Sequence, residues 1–538
     1  MTGAAAGPAP LPTPLGALPT PSISDDARAL HAGVRDFVQR RVLPAMPRLE
    51  QPDFGLLTEL VREAGAAGIP GASIGAEHGG LGLDLSDALR VAHALGGAPS
   101  FAVTIGAHAG LAGGALSLGG SPAQRARWLP GVADASTLGC YGLTEPDAGS
   151  DALALRTVAE RDGGDWLISG SKQFITNAGF ADLAVVFALA EGTAFSGFVI
   201  PMDAPGVTLG PEERKLGLHG SSTRALHLDR VRVPDGHLLG QAGRGHRTAF
   251  AVLTLGRLRL AAGALGETRH LLDLVRQHCA ERHQFGQPLS SFGITRRKVA
   301  ELTAELLAAE AMLWRTTARL DAVIAEIPPQ ARDRRLPMRI TGFDVEAALC
   351  KVVASELLGR AADEAVQLFG GYGYMEEAPV ARAFRDARVQ RIFEGTNEIC
   401  RLLVAPGLLR RIRDGVGPGD DDTWEQSVAH ALTGASLTAL TIARDHDDLP
   451  QPLAEVIADT VADAVSVSAL DGSRSEFHRL ARIVVARSAL ERSFIRLSRI
   501  TPVASLDRLH ALLANAPDAM EHAEELGRRV LDGETLEL

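Results

Sequence analysis

Three regimes of hydrophobic periodicity divide the chain. From residue 25 to about 137 apolar side chains recur at helical spacing. Ala27, Leu30, Val34, Phe37 and Val38 trace one face behind Ser24, Asp25 and Asp26, residue types that cap helix starts. Windows 55–67, 85–95 and 107–118 repeat that spacing, with Gly79, Gly80 and Gly82 as a joint and Ser121-Pro122 as another helix start. From about 139 to 239 the period shortens to two. Segments 166–170, 184–187, 198–200 and 225–228 read as short strands bounded by Gly, Pro and Asp turns. Strands so closely spaced predict a small β-barrel or sandwich rather than a parallel α/β sheet.

Helical spacing returns from 244 to 409. One helix is expected from about 248 to the early 280s and a second after Thr295. A third carries Val345, Leu349, Val353 and Leu357 at i,i+4 steps and stops at Gly370-Gly371. Such helices form a bundle, with 327–337 (Pro328, Pro329) as a joint inside it. The expected division is a disordered leader at 1–22, a helical domain at 23–137, a β domain at 138–243 and a helical bundle at 244–410. A linker rich in Gly and acids follows at 411–422, then a C-terminal helical domain at 423–538. No internal repeat is visible.

A length of 538 residues agrees with several domains, and 46 % hydrophobic with 22 % charged residues is a soluble composition. No apolar run reaches the ~18 residues of a spanning helix. The first 21 residues hold no Lys or Arg, which argues against a secretory or organelle signal. Cys140, Cys279, Cys350 and Cys400 are scattered without metal-ligand spacing, as expected of reduced thiols in a cytoplasmic protein. A net charge of −11 argues against general nucleic-acid binding.

Candidate chemistry concentrates at 388–404. Apolar positions run to Ile392 and Phe393 and resume at Ile399, Leu402 and Leu403. Between them stands Glu394-Gly395-Thr396-Asn397, a breaker followed by N-cap residues. The pattern predicts a helix, a kinked turn carrying a carboxylate, and a new helix. A partly desolvated Glu394 would have a raised pKa and act as a base, whereas a solvated helix end would leave it inert. A second stretch, 141–151, combines the turn formers Pro146 and Gly149 with the hydroxyls of Thr144 and Ser150, which suits a ligand rich in acceptors. No G-x-G-x-x-G occurs, so a Rossmann site is not supported.

These stretches, with Phe174-Ile175-Thr176-Asn177, Arg282-His283-Gln284-Phe285-Gly286 and 367–374, resemble the acyl-CoA dehydrogenase family in motif order and spacing over about residues 25–409. The resemblance implies a multidomain α+β fold: an N-terminal α-helical domain, a middle β-barrel domain and a four-helix-bundle domain, here with an extra C-terminal helical domain. It implies FAD as cofactor and no metal. Tyr141, Leu143, Thr144, Gly149, Ser150, Phe174, Ile175 and Thr176 would hold the flavin ring, Phe174 standing where the family often has Trp. Arg282, Gln284 and Phe285, with Gln367, Gly370 and Gly371 of a neighbouring subunit, would contact the adenosine and pyrophosphate. Thr396 and Glu398 would complete the cofactor site. Ser150, Arg257 and Gly395 would serve the acyl-CoA substrate.

Glu394 falls on the family's usual base. One branch places its base before an arginine on the long helix after the barrel, but here that position is Gly256, which cannot accept a proton. The implied reaction is removal of the α-proton by Glu394 with transfer of the β-hydrogen as hydride to flavin N5. It gives a trans-2-enoyl thioester, with electrons passing on to an electron-transfer flavoprotein. The extra C-terminal unit, Gly256 and the 391–397 run resemble the very-long-chain branch, which implies a long-chain substrate, a role in fatty-acid β-oxidation and a homodimer. Two other readings stand beside this one: an oxygen-using acyl-CoA oxidase, and a non-catalytic relative binding DNA through its C-terminal domain. Residues 411–538 hold 22 acidic against 13 basic residues, the wrong sign for the latter. Within them, 475–500 carries six arginines between apolar positions at steps of three or four. It is a candidate peripheral membrane contact, or alternatively a helix packed on the protein with its arginines paired.

Overall fold

The computed structural model describes residues 25–328 and 332–413, and further on residues 455–456, 458–463, 485–486, 488–489, 492 and 519–532. The expected leader at 1–22, the linker beyond residue 413 and most of the expected domain at 423–538 lie outside the described residues.

The helical spacing of the first region produces α1 (Asp25–Phe37), α2 (Leu43–Leu49), α3 (Phe54–Ala66), α4 (Leu85–Ala94), α5 (Pro99–Ile105), α6 (Gly114–Gly119) and α7 (Pro122–Ala133). A π-helical segment, Gly106–Gly113, joins α5 to α6 in one continuous rod. Asp53, Asp84 and Ser121 cap α3, α4 and α7 through their side chains, the last in a reciprocal capping box with Gln124.

The alternating region forms β1 (Gly139–Gly142), β2 (Val158–Asp162), β3 (Asp165–Thr176), β4 (Leu183–Ala190), β5 (Ala194–Pro201), β6 (Val207–Glu212), β7 (Thr223–Pro234) and β8 (Leu238–Leu239). They pair in the order β6-β7-β3-β2-β4-β5-β8, with β1 parallel to β4. The path ends at β6 and β8, so among the described residues the pairing is that of an open sheet rather than a closed ring. β4 is buried on both faces. Val185 and Phe187 join a core with α6 and α7, while Ala184 and Val186 join Trp166, Ile168 and Phe198.

The third regime gives α8 (Gly245–Glu281), α9 (Gly293–Ala325), α10 (Arg332–Thr341), α11 (Asp344–Phe369), α12 (Pro379–Ala387) and α13 (Asn397–Arg413). The stretch expected as a joint at 327–337 therefore contributes the first turns of α10, with Pro337 inside it. Leu265, Leu272, Val299, Leu306, Leu313 and Leu358 form the bundle core. α14 (Ala519–Leu531) packs on α9 so closely that a Cβ at Gly527 would lie 2.0 Å from the Arg296 carbonyl oxygen. Two helical stretches, Pro99–Gly119 and Gly245–Glu281, are long and apolar enough to span a bilayer, contrary to the expectation of none. Both are mostly buried in this fold, which is why they are apolar.

A buried charge cluster ties the N-terminal helices to the bundle. Glu310 of α9 accepts from Arg269 of α8 and pairs with His93 of α4 at 3.1 Å. Burial pushes the Glu310 carboxyl up, but Arg269 and His93 outweigh it and hold it at about 2. A depressed carboxylate stabilises above its unfolded pKa and loses that contribution as pH falls towards 2. Glu310→Gln removes the counter-charge of a buried arginine and is expected to cost about 3–5 kcal/mol at pH 7. Urea denaturation at pH 7 and at pH 3 checks this, with a smaller difference between variant and wild type at pH 3.

Candidate active site

After α12 a short 3₁₀ turn (Arg388–Arg391) leads into Ile392 and Phe393. Glu394 (φ +58°) and Gly395 (φ +83°) then both take the left-handed conformation, which few residues other than glycine adopt. Thr396 Oγ1 accepts from Ile399 N–H at 3.2 Å and starts α13 as its N-cap. The helix–turn–helix reading of 388–404 therefore holds, with a 3₁₀ turn before the break.

The turn is fastened from two helices. Lys351 Nζ of α11, fully buried, donates to the Gly395 carbonyl at 2.8 Å and to Asn397 Oδ1 at 2.6 Å. Asn397 Nδ2 donates to Ser355 Oγ and Glu356 Oε1. Arg257 Nε of α8 donates to the Glu394 carbonyl at 3.1 Å. Arg257 is buried, so it orients the turn and is not a helix-surface arginine.

The Glu394 side chain projects over Gly256, where a Cβ would fall 2.7 Å from Oε2. Oε2 is buried and has no hydrogen-bond partner among the described residues. Burial pushes the carboxyl up to about 7, against the opposing pull of Arg257, Arg259 and Lys351. Glu394 lines a cavity of about 150 Å³, together with Thr176 and Phe393. From there the cavity runs between α4, α5 and the π-helical segment on one side and α8 on the other, past Leu95, Val103 and Leu260.

Of the expected flavin-holding residues, Thr176 lines the same cavity as Glu394, and Tyr141 lies near enough to feel its charge. Tyr141 of β1 is buried, its hydroxyl has no hydrogen-bond partner among the described residues, and burial, then the nearby Glu394, push its pKa well up. Leu143 is buried, and its carbonyl accepts from Lys172 Nζ. The Thr144 carbonyl accepts from Gln173 N–H at 2.9 Å. Lys172 also makes a buried ion pair with Glu145 at 2.6 Å, which anchors the 141–151 loop beside β3. Gly149 and Ser150 stand exposed on that loop. A register shift of β3 against β7 between Lys172 and Ile175 throws Phe174 outward, at φ +57° and 58 % exposed. Ile175 is buried. Next in the chain, Asn177 donates to the Thr104 and Gly139 carbonyls, fixing the strand end. An exposed aromatic ring on strained backbone at Phe174, and a Tyr141 hydroxyl and a Glu394 Oε2 without hydrogen-bond partners among the described residues, fit a planar cofactor such as the flavin of FAD.

The other expected residues lie elsewhere. Arg282, Gln284 and Phe285 sit on an exposed hairpin after α8, with Phe285 94 % exposed. Arg282 is 26 residues beyond Gly256, roughly 39 Å along the helix. Gln367, Gly370 and Gly371 lie at that same end, where Phe369 stacks on His278 at 4.1 Å. One chain therefore does not bring the two groups together. Glu398 is exposed, and its own backbone N–H, then Thr396, keep its carboxyl below the usual range. Sequence reasoning missed Lys351, Ser355 and Arg259. A lone lysine amid the apolar positions of α11 was the available signal for the first.

A helical unit, a sheet and a helix bundle meet around Glu394, the domain arrangement of a flavoprotein dehydrogenase class that the family comparisons identify. Models of the acyl-CoA dehydrogenase N-terminal, middle and C-terminal domains match residues 24–136, 140–231 and 243–409. A probable acyl-CoA dehydrogenase of Bacillus subtilis is 38 % identical over 73 % of this chain and 67 % of its own length. An acyl-CoA dehydrogenase from Bacillus anthracis, solved with FAD, superposes with a TM-score of 0.90 at 30 % identity, over 96 % of each chain. Butyryl-CoA dehydrogenase from Megasphaera elsdenii gives 0.66 at 32 % identity over 72 % of this chain and 99 % of its own. The chain belongs to the acyl-CoA dehydrogenase family and is an FAD-dependent acyl-CoA dehydrogenase.

Proposed function

We propose that Glu394 is the base that removes the α-proton of an acyl-CoA thioester, in a pocket built for a long acyl chain. The unpartnered Oε2, pushed up to about 7 beside a cavity, carries this reading. A base matched to neutral pH combines a useful ionised fraction with enough basicity to take the proton. Arg257 and Lys351 hold the carbonyls of Glu394 and Gly395, so the carboxylate reaches the cavity in one orientation. The Glu394 backbone N–H is the candidate donor to the thioester oxygen as negative charge builds there. Tyr141, Leu143, Thr144, Phe174–Thr176 and Thr396 would hold FAD, which would supply the acceptor for the β-hydrogen.

The spread of the cavity lining along α8, from Gly256 to Glu267, supports the long-chain reading. An electron-transfer flavoprotein as acceptor, a homodimer and a cytoplasmic location belong to the same reading. The exposed Phe285, Tyr372 and Tyr374 beside the second group of residues support a second copy completing the cofactor site. Most of 475–500 lies outside the described residues. Of those described, Val485, Ala486 and Ala489 enter the bundle core, and Arg492 pairs with Asp463 and Glu305. They support a packed helix rather than a membrane face.

The test is anaerobic reduction of the yellow, FAD-loaded protein by long-chain acyl-CoA at varied pH. Glu394 must be ionised to act, so the rate is expected to rise between pH 5.5 and 8 with a midpoint near 7. A flat profile would remove Glu394 as the base. A colourless protein that cannot be reconstituted with FAD would overturn the whole reading.

A further inference from the structure

The acyl pocket is not uniformly apolar. Its α8 wall presents Gly256, Arg259, Leu260, Gly263 and Glu267, one helical stripe leading away from Glu394. Glu267 is 2 % exposed, and its Oε1 has no hydrogen-bond partner among the described residues. Arg259 Nη1 is likewise buried and unpartnered. Its guanidinium occupies space left open by a glycine on the π-helical segment, for a Cβ at Gly110 would sit 2.1 Å from Nη1. The two side chains are two helical turns apart on one face, roughly 12 Å at 1.5 Å per residue.

Buried polar groups in folded proteins are nearly always hydrogen-bonded, so two orphans on the wall of one ligand cavity need a partner that the ligand brings. Leu95, Val103 and Leu111 make the rest of the wall suited to a hydrocarbon chain. We propose that the preferred acyl group carries a neutral oxygen substituent, a hydroxyl or ketone several carbons beyond the reacting pair, hydrogen-bonded by Glu267 and approached by Arg259. This rests on the acyl-CoA dehydrogenase reading above. Asp386 and Arg382 both act on Glu267, so this end offers no excess positive charge to hold a terminal carboxylate. Burial, then Asp386, push the Glu267 carboxyl well above its ordinary value against the pull of Arg382, and a protonated carboxyl can donate as well as accept. A plain alkyl chain lying past Glu267 leaves it unpaired, and sites built to bond a substrate hydroxyl discriminate strongly against analogues that lack it.

The experiment compares lauroyl-CoA with derivatives hydroxylated at successive carbons along the distal half of the chain. Turnover of the FAD-loaded enzyme gives kcat/KM, and calorimetry gives the affinity for the matching 2-enoyl-CoA product. One hydroxyl position is expected to exceed lauroyl-CoA by about tenfold or more in both measurements. Glu267→Leu is expected to abolish that preference and to improve lauroyl-CoA, whereas Glu267→Gln, which keeps a donor and an acceptor, retains it. Equal handling of all chains by the wild type, or a hydroxyl preference that survives Glu267→Leu, would overturn the inference. Failure of every thioester to reduce the flavin would instead strike the dehydrogenase reading, while calorimetry still decides whether the pocket selects oxygenated chains.

Discussion

Glu394→Gln is expected to retain FAD and to lower kcat by about 10³-fold or more. The substitution keeps the size of the side chain and its place over Gly256 but removes the proton acceptor. Because the turn is fastened by Lys351 and Arg257 through backbone carbonyls, the variant loses none of those bonds. Flavin content and thermal midpoint should therefore match or exceed wild type while stopped-flow reduction by acyl-CoA collapses. A variant retaining a tenth of wild-type kcat would mean that another group takes the proton. No other carboxylate among the described residues lines the cavity except Glu267, which lies 11 residues beyond Gly256 along α8.

Gly256→Ala separates activity from stability in the same site. The three nearest neighbours of the new Cβ all belong to the tip of the Glu394 side chain, at 2.7 Å from Oε2 and 2.9 Å from Cδ and Oε1. A flexible carboxylate can swing aside, so the fold is expected to be preserved and the thermal midpoint nearly unchanged. The carboxylate then points away from its set position, and a displacement of about 1 Å in a reacting group costs on the order of 10²-fold in rate. Single-turnover reduction of the flavin reads this directly. An unchanged rate would show that α8 does not set the position of the base.

Much of this architecture was legible because its determinants are local. The i,i+4 stripe from Val345 to Leu357 predicts α11, and Ser121-Pro122 marks the start of α7. Glu394 was legible for the same reason: a breaker and an N-cap residue directly follow it, which announces a turn. The support of that turn was not legible. Lys351 acts on a carbonyl 44 residues further along the chain, and nothing in its own neighbourhood signals the partner. Arg259 and Glu267 follow the helical spacing of an ordinary core stripe, so only the cavity reveals them. The separation of Arg282–Phe285 from Tyr141 and Glu394 was equally hidden, because motif order says nothing of the 37-residue rod between them.

Glu394, whose Oε2 is buried without a hydrogen-bond partner among the described residues, also sets a relation between folding and protons. Its pKa is raised to about 7 in the folded chain from an ordinary carboxyl value near 4.5. Between those values the native state binds a proton that the unfolded state has released, so this group's contribution to stability falls as pH rises through 7. The window in which the base is ionised and active is therefore the one in which it strains the fold. Any ligand that brings hydrogen-bond donors or positive potential to Oε2 relieves that strain, and by linkage its binding drives a proton off the enzyme below neutral pH.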